Sequence, residues 1–446
     1  MIPERSGMHR RDVLAGGLAT GLAGGLWSGV ARAVTPVDVG RLAYLYCLPL
    51  QEMAATRAKA IGRGVNQLQH SRVLADAKSR AVTTPNCDTL YSSAWLDLSK
   101  PVTIHLPDAG GRYFSLALMD LYTNNFRVLG DRRREGFSRV ILVGPDWREP
   151  TEPGVAVVRS PTISVWALAR TYVATPSDLE AAHAVQDHLT LEADTAGPFQ
   201  VLAPAASRDD IAGVFRAAGR VMAHDPPPHR DSKALKMLAK IGVGPGLAYP
   251  ADRLGDLAQR QVEAGARYAL AELKSGRDSA GAVDGWVYPK PDQGDFGVDY
   301  ETRAATALGG LAALPTREAI YLRGVGEQSG LYDGATPHVL RLRPADFARR
   351  DGFWSLTLYQ QTPEGQLFFF DNPQNRYAIS GATPGLIALS DGLVEITIAQ
   401  KPTLGSEANW LPSPDGPFRL QFRAFRPTDA LVRGKVRLAP VHPFAA

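Results

Sequence analysis

Apolar residues recur at helical spacing in some parts of the chain and alternate with polar ones in others. Between residues 37 and 61 the apolar positions Val39, Leu42, Tyr46, Leu50 and Met53 fall at helical spacing. Thr35 and Pro36 supply an N-cap and a proline at the first helical position. Pro49 predicts a kink there or a split into two short helices, because its ring blocks a helical hydrogen bond. Residues 66–81 are polar and read as loop.

From Leu90 the period changes to two. Residues 91–98, 102–107, 112–121, 140–143, 155–158 and 164–168 read as short strands separated by Pro/Gly turns. That spacing predicts an antiparallel sandwich rather than a parallel α/β sheet. Pro176-Ser177-Asp178 then opens a helix expected to run past His183 and His188 towards Leu191. Residues 207–280 look mostly helical, residues 275–297 form the inter-domain passage, and residues 300–311 are again helical. After Ala319 the two-residue period returns, with strands expected at 338–342, 353–359, 367–370, 386–389, 394–398 and 418–424. A second antiparallel β-domain, of sandwich or jelly-roll type, follows from them. The pattern divides the chain into a leader (1–33), an N-terminal helical segment (34–82), a β-sandwich (83–175), a mainly helical region (176–297) and a C-terminal β-domain (298–446).

Composition narrows the partners. The 446 residues exceed one ordinary core, and 45% hydrophobic with 21% charged residues is the balance of a soluble globular protein. The net charge of +4 falls to +2 without residues 1–33, which hold four arginines and two acids. No basic run remains to bind nucleic acid. His9-Arg10-Arg11-Asp12 precedes a Gly/Ala-rich apolar run and an Ala31-Arg32-Ala33 cleavage site, the layout of a twin-arginine signal peptide. This predicts a periplasmic or secreted protein with no stable membrane insertion after signal removal. Cys47 and Cys87 are the only two cysteines, too few for a disulfide framework or a thiolate metal site.

One stretch concentrates chemistry: Thr84-Pro85-Asn86-Cys87-Asp88-Thr89-Leu90-Tyr91. With Gly111-Arg112-Tyr113, Asp120-Leu121-Tyr122-Thr123-Asn124-Asn125 and Ala169-Arg170-Thr171-Tyr172 it resembles the family of domains of unknown function 1254. Tyr300-Glu301-Thr302-Arg303-Ala304, Glu318-Ala319-Ile320-Tyr321, Phe353-Trp354-Ser355-Leu356-Thr357-Leu358-Tyr359, Asn375-Arg376-Tyr377 and Asn409-Trp410-Leu411-Pro412 resemble family 1214. The resemblance implies a mainly β fold with helical segments: an immunoglobulin-like sandwich, a helical middle region and a jelly-roll-like C-terminal domain. Family 1254 more often carries asparagine where this chain has Cys87.

The chemistry expected of these residues is metal-free and cofactor-free. Asp88 and Tyr91 form a carboxylate–phenol acid/base pair, and Asn86 serves as an orienting amide. Arg112 or Arg303 would supply the counter-charge to a small-molecule substrate. Pro-Asn-x-Asp-Thr is equally good turn chemistry, with Asx side chains bonding their own backbone. Trp354, Leu356 and Leu358 point to one side of their strand, and Phe353, Ser355, Thr357 and Tyr359 to the other. An exported acid/base enzyme, by hydrolysis, elimination or isomerisation, is the leading expectation. The alternative is a non-catalytic ligand- or carbohydrate-binding protein using Trp354, Tyr359 and Trp410. A homo-oligomer is compatible with either. No G-x-S-x-G, H-E-x-x-H, Walker or dinucleotide-binding pattern is present.

Overall fold

The computed structural model describes residues 34–443 except 63, 195–199, 276–280, 328–329 and 403–406. The twin-arginine signal read in residues 1–33 therefore lies outside the described residues. Helix α1 (Pro36–Ile61) continues through Pro49 as one element of 26 residues, so the alternative of two short helices is not realised. Its apolar side is buried against four later helices, and that packing outweighs the one hydrogen bond proline removes. Glycines let the helices approach closely. A Cβ on Gly40 would meet the Val262 carbonyl oxygen at 1.9 Å, and one on Gly265 would meet that of Val37 at 2.0 Å.

The first β unit is built from two sheets. One holds β1 (Gln69–His70), β2 (Thr89–Asp97), β4 (Phe114–Met119), β5 (Asn125–Leu129) and β8 (Ser164–Tyr172), in the order β1-β2-β8-β4-β5. The other holds β3 (Val102–His105), β6 (Arg139–Val143), β7 (Ala156–Arg159) and β9 (Thr190–Ala193), in the order β7-β6-β3-β9. Alternate residues such as Leu96, Ile104, Leu116, Leu142 and Val165 fill the core the two sheets share. Short α2 (Arg132–Glu135) lies between β5 and β6. Two details differ from expectation. β6 and β7 pair in parallel, and α3 (Leu179–Asp187) stops early so that residues 190–193 become a strand. β3 offers an open edge there, and its pairing with β9 overrides the helical reading of the local sequence.

Helices α4 (Ile211–His224), α5 (Ser232–Leu238), α6 (Asp256–Ser275) and α7 (Tyr300–Gly310) surround α1. Trp95, Met119 and Leu168, on the outer face of the five-stranded sheet, join the same core. A buried polar network crosses this layer. Asp231 accepts from the hydroxyls of Tyr46 and Tyr300, both at 3.0 Å. Asp120 accepts from the backbone of Tyr122 and Asn124, yet burial still pushes its pKa up to about 6.

The C-terminal unit again pairs two sheets. The larger runs β10 (Trp286–Val287), β11 (Ala319–Gly324), β19 (Pro417–Pro427), β14 (Ala348–Gln361), β15 (Leu367–Phe369). β12 (Tyr332–Asp333) adds to β19 and β16 (Ala378–Ser380) to β14. The smaller is ordered β18 (Trp410–Pro412), β17 (Val394–Ala399), β13 (His338–Leu342), β20 (His442–Pro443), and β17 with β18 is parallel. A short α8 (Asp429–Val432) follows β19. Residues 386–389, expected as a strand, make only a single bridge, Ala388 with Val394; they lie largely at the surface. Helix and strand each make up 28% of the chain, so the fold is mixed rather than mainly β. No described helix is long and apolar enough to cross a membrane.

Candidate functional site

The site grows from strand alternation. In β14, Trp354, Leu356 and Leu358 enter the core between the two C-terminal sheets. Phe353, Ser355, Thr357 and Tyr359 consequently face out of it. Register sets Ser355 opposite Arg423 on β19, and Arg423 opposite Tyr321 on β11. On the first β unit the same logic sets Tyr91 opposite Arg170 and Arg170 opposite Ser115.

These two outward faces meet. Tyr113 and Ala117 from the first unit cluster with Phe353, Phe425 and Ala319 from the second. Tyr172 stacks on Phe353 at 4.0 Å between ring centroids, and Phe353 on Phe425 at 4.5 Å. At one edge, Arg134 makes two bonds to the buried Glu318, at 2.9 and 2.6 Å, and the Tyr113 hydroxyl donates to the same carboxylate.

The 84–88 loop is clamped into this junction. Thr84, at φ 49°, takes the left-handed conformation. Its carbonyl accepts from Arg423 Nη2 at 3.2 Å, and the Pro85 carbonyl accepts from the Tyr359 hydroxyl at 2.6 Å. Arg423 also donates to Thr357 Oγ1 at 2.8 Å and to the Tyr359 oxygen at 2.7 Å. Asn86 Oδ1 accepts the Asp88 backbone N–H at 2.6 Å, an Asx turn. That turn leaves the Asp88 side chain aimed at the other domain, where Ser355 Oγ donates to its Oδ2 at 2.6 Å.

Burial sets the electrostatics. It raises the Asp88 pKa, although Arg423 and the Ser355 bond pull the other way. Tyr172 is pushed up to about 12 by burial and by Asp88. The Cys87 thiol is likewise pushed up by burial, which makes it a poor nucleophile. Cys47 and Cys87 are both free and sit in different clusters, Cys47 among the helices and Cys87 beside Tyr359 and Phe369.

The residues singled out in the sequence scatter more widely than the loop does. Asp88, Asn86 and Tyr359 gather at the junction, while Tyr91 packs against the helical core with its ring beside Arg170. Arg112 is near it but occupied: its guanidinium forks onto Asp178, with Nη2 to Oδ1 at 2.7 Å, and Nη1 also holds the Tyr172 carbonyl. Arg303 is buried in the helical layer, 3.9 Å from Asp231, and donates to the Gly297 carbonyl. Trp354 and Trp410 are both 4% exposed; the first packs in the C-terminal core and the second donates to the Ala399 carbonyl. Ser355 and Tyr321 belong to the junction without having been assigned to it, and Arg170 and Arg423 lie there too. Their signal was visible: they are polar residues on the non-core face of aromatic-rich strands.

Arg112→Ala is expected to lower stability by ~2 kcal/mol in denaturant unfolding, since it strands a partly buried carboxylate. The Arg112 bond holds the Asp178 pKa below its ordinary 3.8, so this stabilisation exists above that value. The gap between wild type and variant should close as the pH falls through 3.8 and below.

Comparison with known families meets the fold at this point. Residues 65–193 match the model of the protein family of unknown function DUF1254, and residues 318–429 match that of DUF1214. The chain thus carries a DUF1254 region followed by a DUF1214 region. The DUF1254 match runs from just before β1 to the end of β9, the whole two-sheet unit. The DUF1214 match spans β11 to β19, including the strands that carry Tyr321, Ser355 and Arg423. The helices α4 to α7 fall between the two. The crystal structure of the VPA0106 protein from Vibrio parahaemolyticus superposes with a TM-score of 0.70 at 20% identity, covering 92% of this chain and 100% of that one. The fold of this chain thus recurs there. An uncharacterized protein from Burkholderia cenocepacia aligns with a TM-score of 0.45 at 12% identity, over 89% of this chain and 87% of its own. No curated protein matches the chain.

Proposed function

We propose that the DUF1254–DUF1214 junction is the active site of an exported enzyme acting on a small organic molecule by acid/base chemistry. Asp88 is the proton acceptor and Tyr91 the proton donor; Asn86 shapes the turn that presents Asp88. The observation carrying this reading is the Asp88 carboxyl: buried, raised in pKa, and bonded to Ser355 of the opposite domain. A buried carboxyl with a raised pKa at a domain boundary is suited to proton transfer near neutral pH. The binding-module alternative requires Trp354, Tyr359 and Trp410 as an open aromatic platform, and all three are buried. The two-sheet construction of each β unit supports the immunoglobulin-like and jelly-roll-like readings of their topology. Export through residues 1–33 would put the enzyme in the periplasm or outside the cell.

The test starts with metabolite screening of the mature protein by mass spectrometry. Once a turned-over compound is in hand, Tyr91→Phe should reduce kcat by at least ~10²-fold, the ordinary contribution of one acid/base group. Full turnover in both Tyr91→Phe and Asp88→Asn would sink the assignment.

A further inference from the structure

Arg170 is 95% removed from solvent at the middle of the junction; its relative exposure is 5%. Its Nη2 donates to the Ala312 carbonyl at 2.8 Å, while its Nη1 has no hydrogen-bond partner. The guanidinium lies 5.4 Å from the centroid of the Tyr91 ring. None of the described carboxylates forms an ion pair with it. Other buried arginines differ: Arg303 lies by Asp231, and Arg423 spends its Nη groups on Thr357, Tyr359 and the Thr84 carbonyl.

A buried guanidinium without a counter-ion is costly, and an unpaired N–H adds to that cost. Arginine keeps its charge under these conditions, so the imbalance is not relieved by losing a proton. The neighbours do not supply a negative charge either. They are the phenols of Tyr91, Tyr113 and Tyr321, and Tyr321 itself also senses Arg423 on its own sheet. Tyr91 and Tyr321 keep partly accessible surface. The Tyr91 and Tyr321 rings, an N–H without a partner and a guanidinium without a carboxylate describe a receptor for a compact anion with an apolar body.

We propose that Arg170 anchors a carboxylate subsite, and that the substrate of the junction is a small organic monocarboxylate whose apolar part lies against Tyr91 and Tyr321. The carboxylate replaces the missing counter-ion and takes the Nη1 hydrogen bond. One free N–H beside phenol hydroxyls suits a monoanion better than a phosphate dianion, which calls for several cationic donors. The proposal rests on the junction reading for where the reacting groups lie, but not on Asp88 being the base.

Calorimetric titration of the mature protein with acetate, benzoate and phenylacetate, each beside its carboxamide, and with inorganic phosphate tests this. A carboxylate that binds at least 10-fold more tightly than its amide is the expected result. Arg170→Gln should weaken that carboxylate by at least 10-fold while thermal stability holds or rises, because a buried charge has left. Should Arg170→Gln fail to fold, Tyr321→Phe is the second variant and should weaken the same carboxylate several-fold. Equal binding of acid and amide, preference for phosphate, no binding by any probe, or undiminished affinity in the variants overturns the subsite. The acid/base reading fails separately: carboxylate binding intact, with turnover also intact in Asp88→Asn, leaves the subsite standing and removes Asp88 as the base.

Discussion

Asp88→Asn is expected to cut turnover ~10²–10⁴-fold, the range for losing a positioned general base, while making the protein more stable at neutral pH. The two effects have one origin. Burial raises the Asp88 pKa above its ordinary 3.8. A carboxyl with a raised folded-state pKa favours folding fully only below its unfolded value, and that contribution is lost as pH rises through the folded one. The wild type should therefore lose stability with rising pH from about 3.8 upwards, and the asparagine variant should not. The replacement keeps an oxygen to accept the Ser355 hydroxyl, so the 2.6 Å contact has a neutral equivalent. Melting temperatures of both proteins measured from pH 4 to 8 should start together and diverge, with Asp88→Asn higher. A variant less stable across the whole range would show that the charge of Asp88 is needed for the fold and not for chemistry.

Arg423→Ala should be the most damaging single change at the junction, costing ~3–5 kcal/mol, as expected when one partner of a buried charged network is removed. Arg423 is 5% exposed and joins Thr357, Tyr359 and the Thr84 carbonyl; it is also the positive charge nearest in effect to Asp88. Without it the 84–88 loop keeps the Tyr359–Pro85 and Ser355–Asp88 hydrogen bonds, the Thr84 backbone bond to Leu367 and the packing of Cys87 against Tyr359 and Phe369. The two cysteines make the outcome readable. Cys87 is part of this loop, whereas Cys47 is fully buried among the helices. Thiol labelling of Arg423→Ala in native buffer should speed up at Cys87 and stay slow at Cys47. Equal acceleration at both would mean global unfolding rather than release of the loop.

What was legible in the chain follows from periodicity. The alternation in 353–359 assigned Trp354, Leu356 and Leu358 to one side and Ser355, Thr357 and Tyr359 to the other, and the C-terminal core contains the first set. Strands at 91–98, 102–107 and 164–168, and the helices at 300–311 and within 207–280, lie where hydrophobic spacing put them, because side-chain period is a local property of backbone geometry. Asn86 behaved as its local chemistry allows, closing an Asx turn onto Asp88.

Tertiary structure decided the rest, and for one reason: partners far apart in sequence leave no local trace. Residues 190–193 are a strand only because β3 has an open edge, and α1 survives Pro49 only because other helices cover it. Arg112 pairs with Asp178, 66 positions away, and Arg303 lies by Asp231 in another layer. Ser355 meets Asp88 across 267 positions of sequence. The motif at 84–91 was visible as chemistry from the start. That it faces Arg423, Ser355 and Tyr359, with Arg170 nearby and lacking a carboxylate partner, depends on two sheets meeting by their outer faces, which residue spacing does not encode.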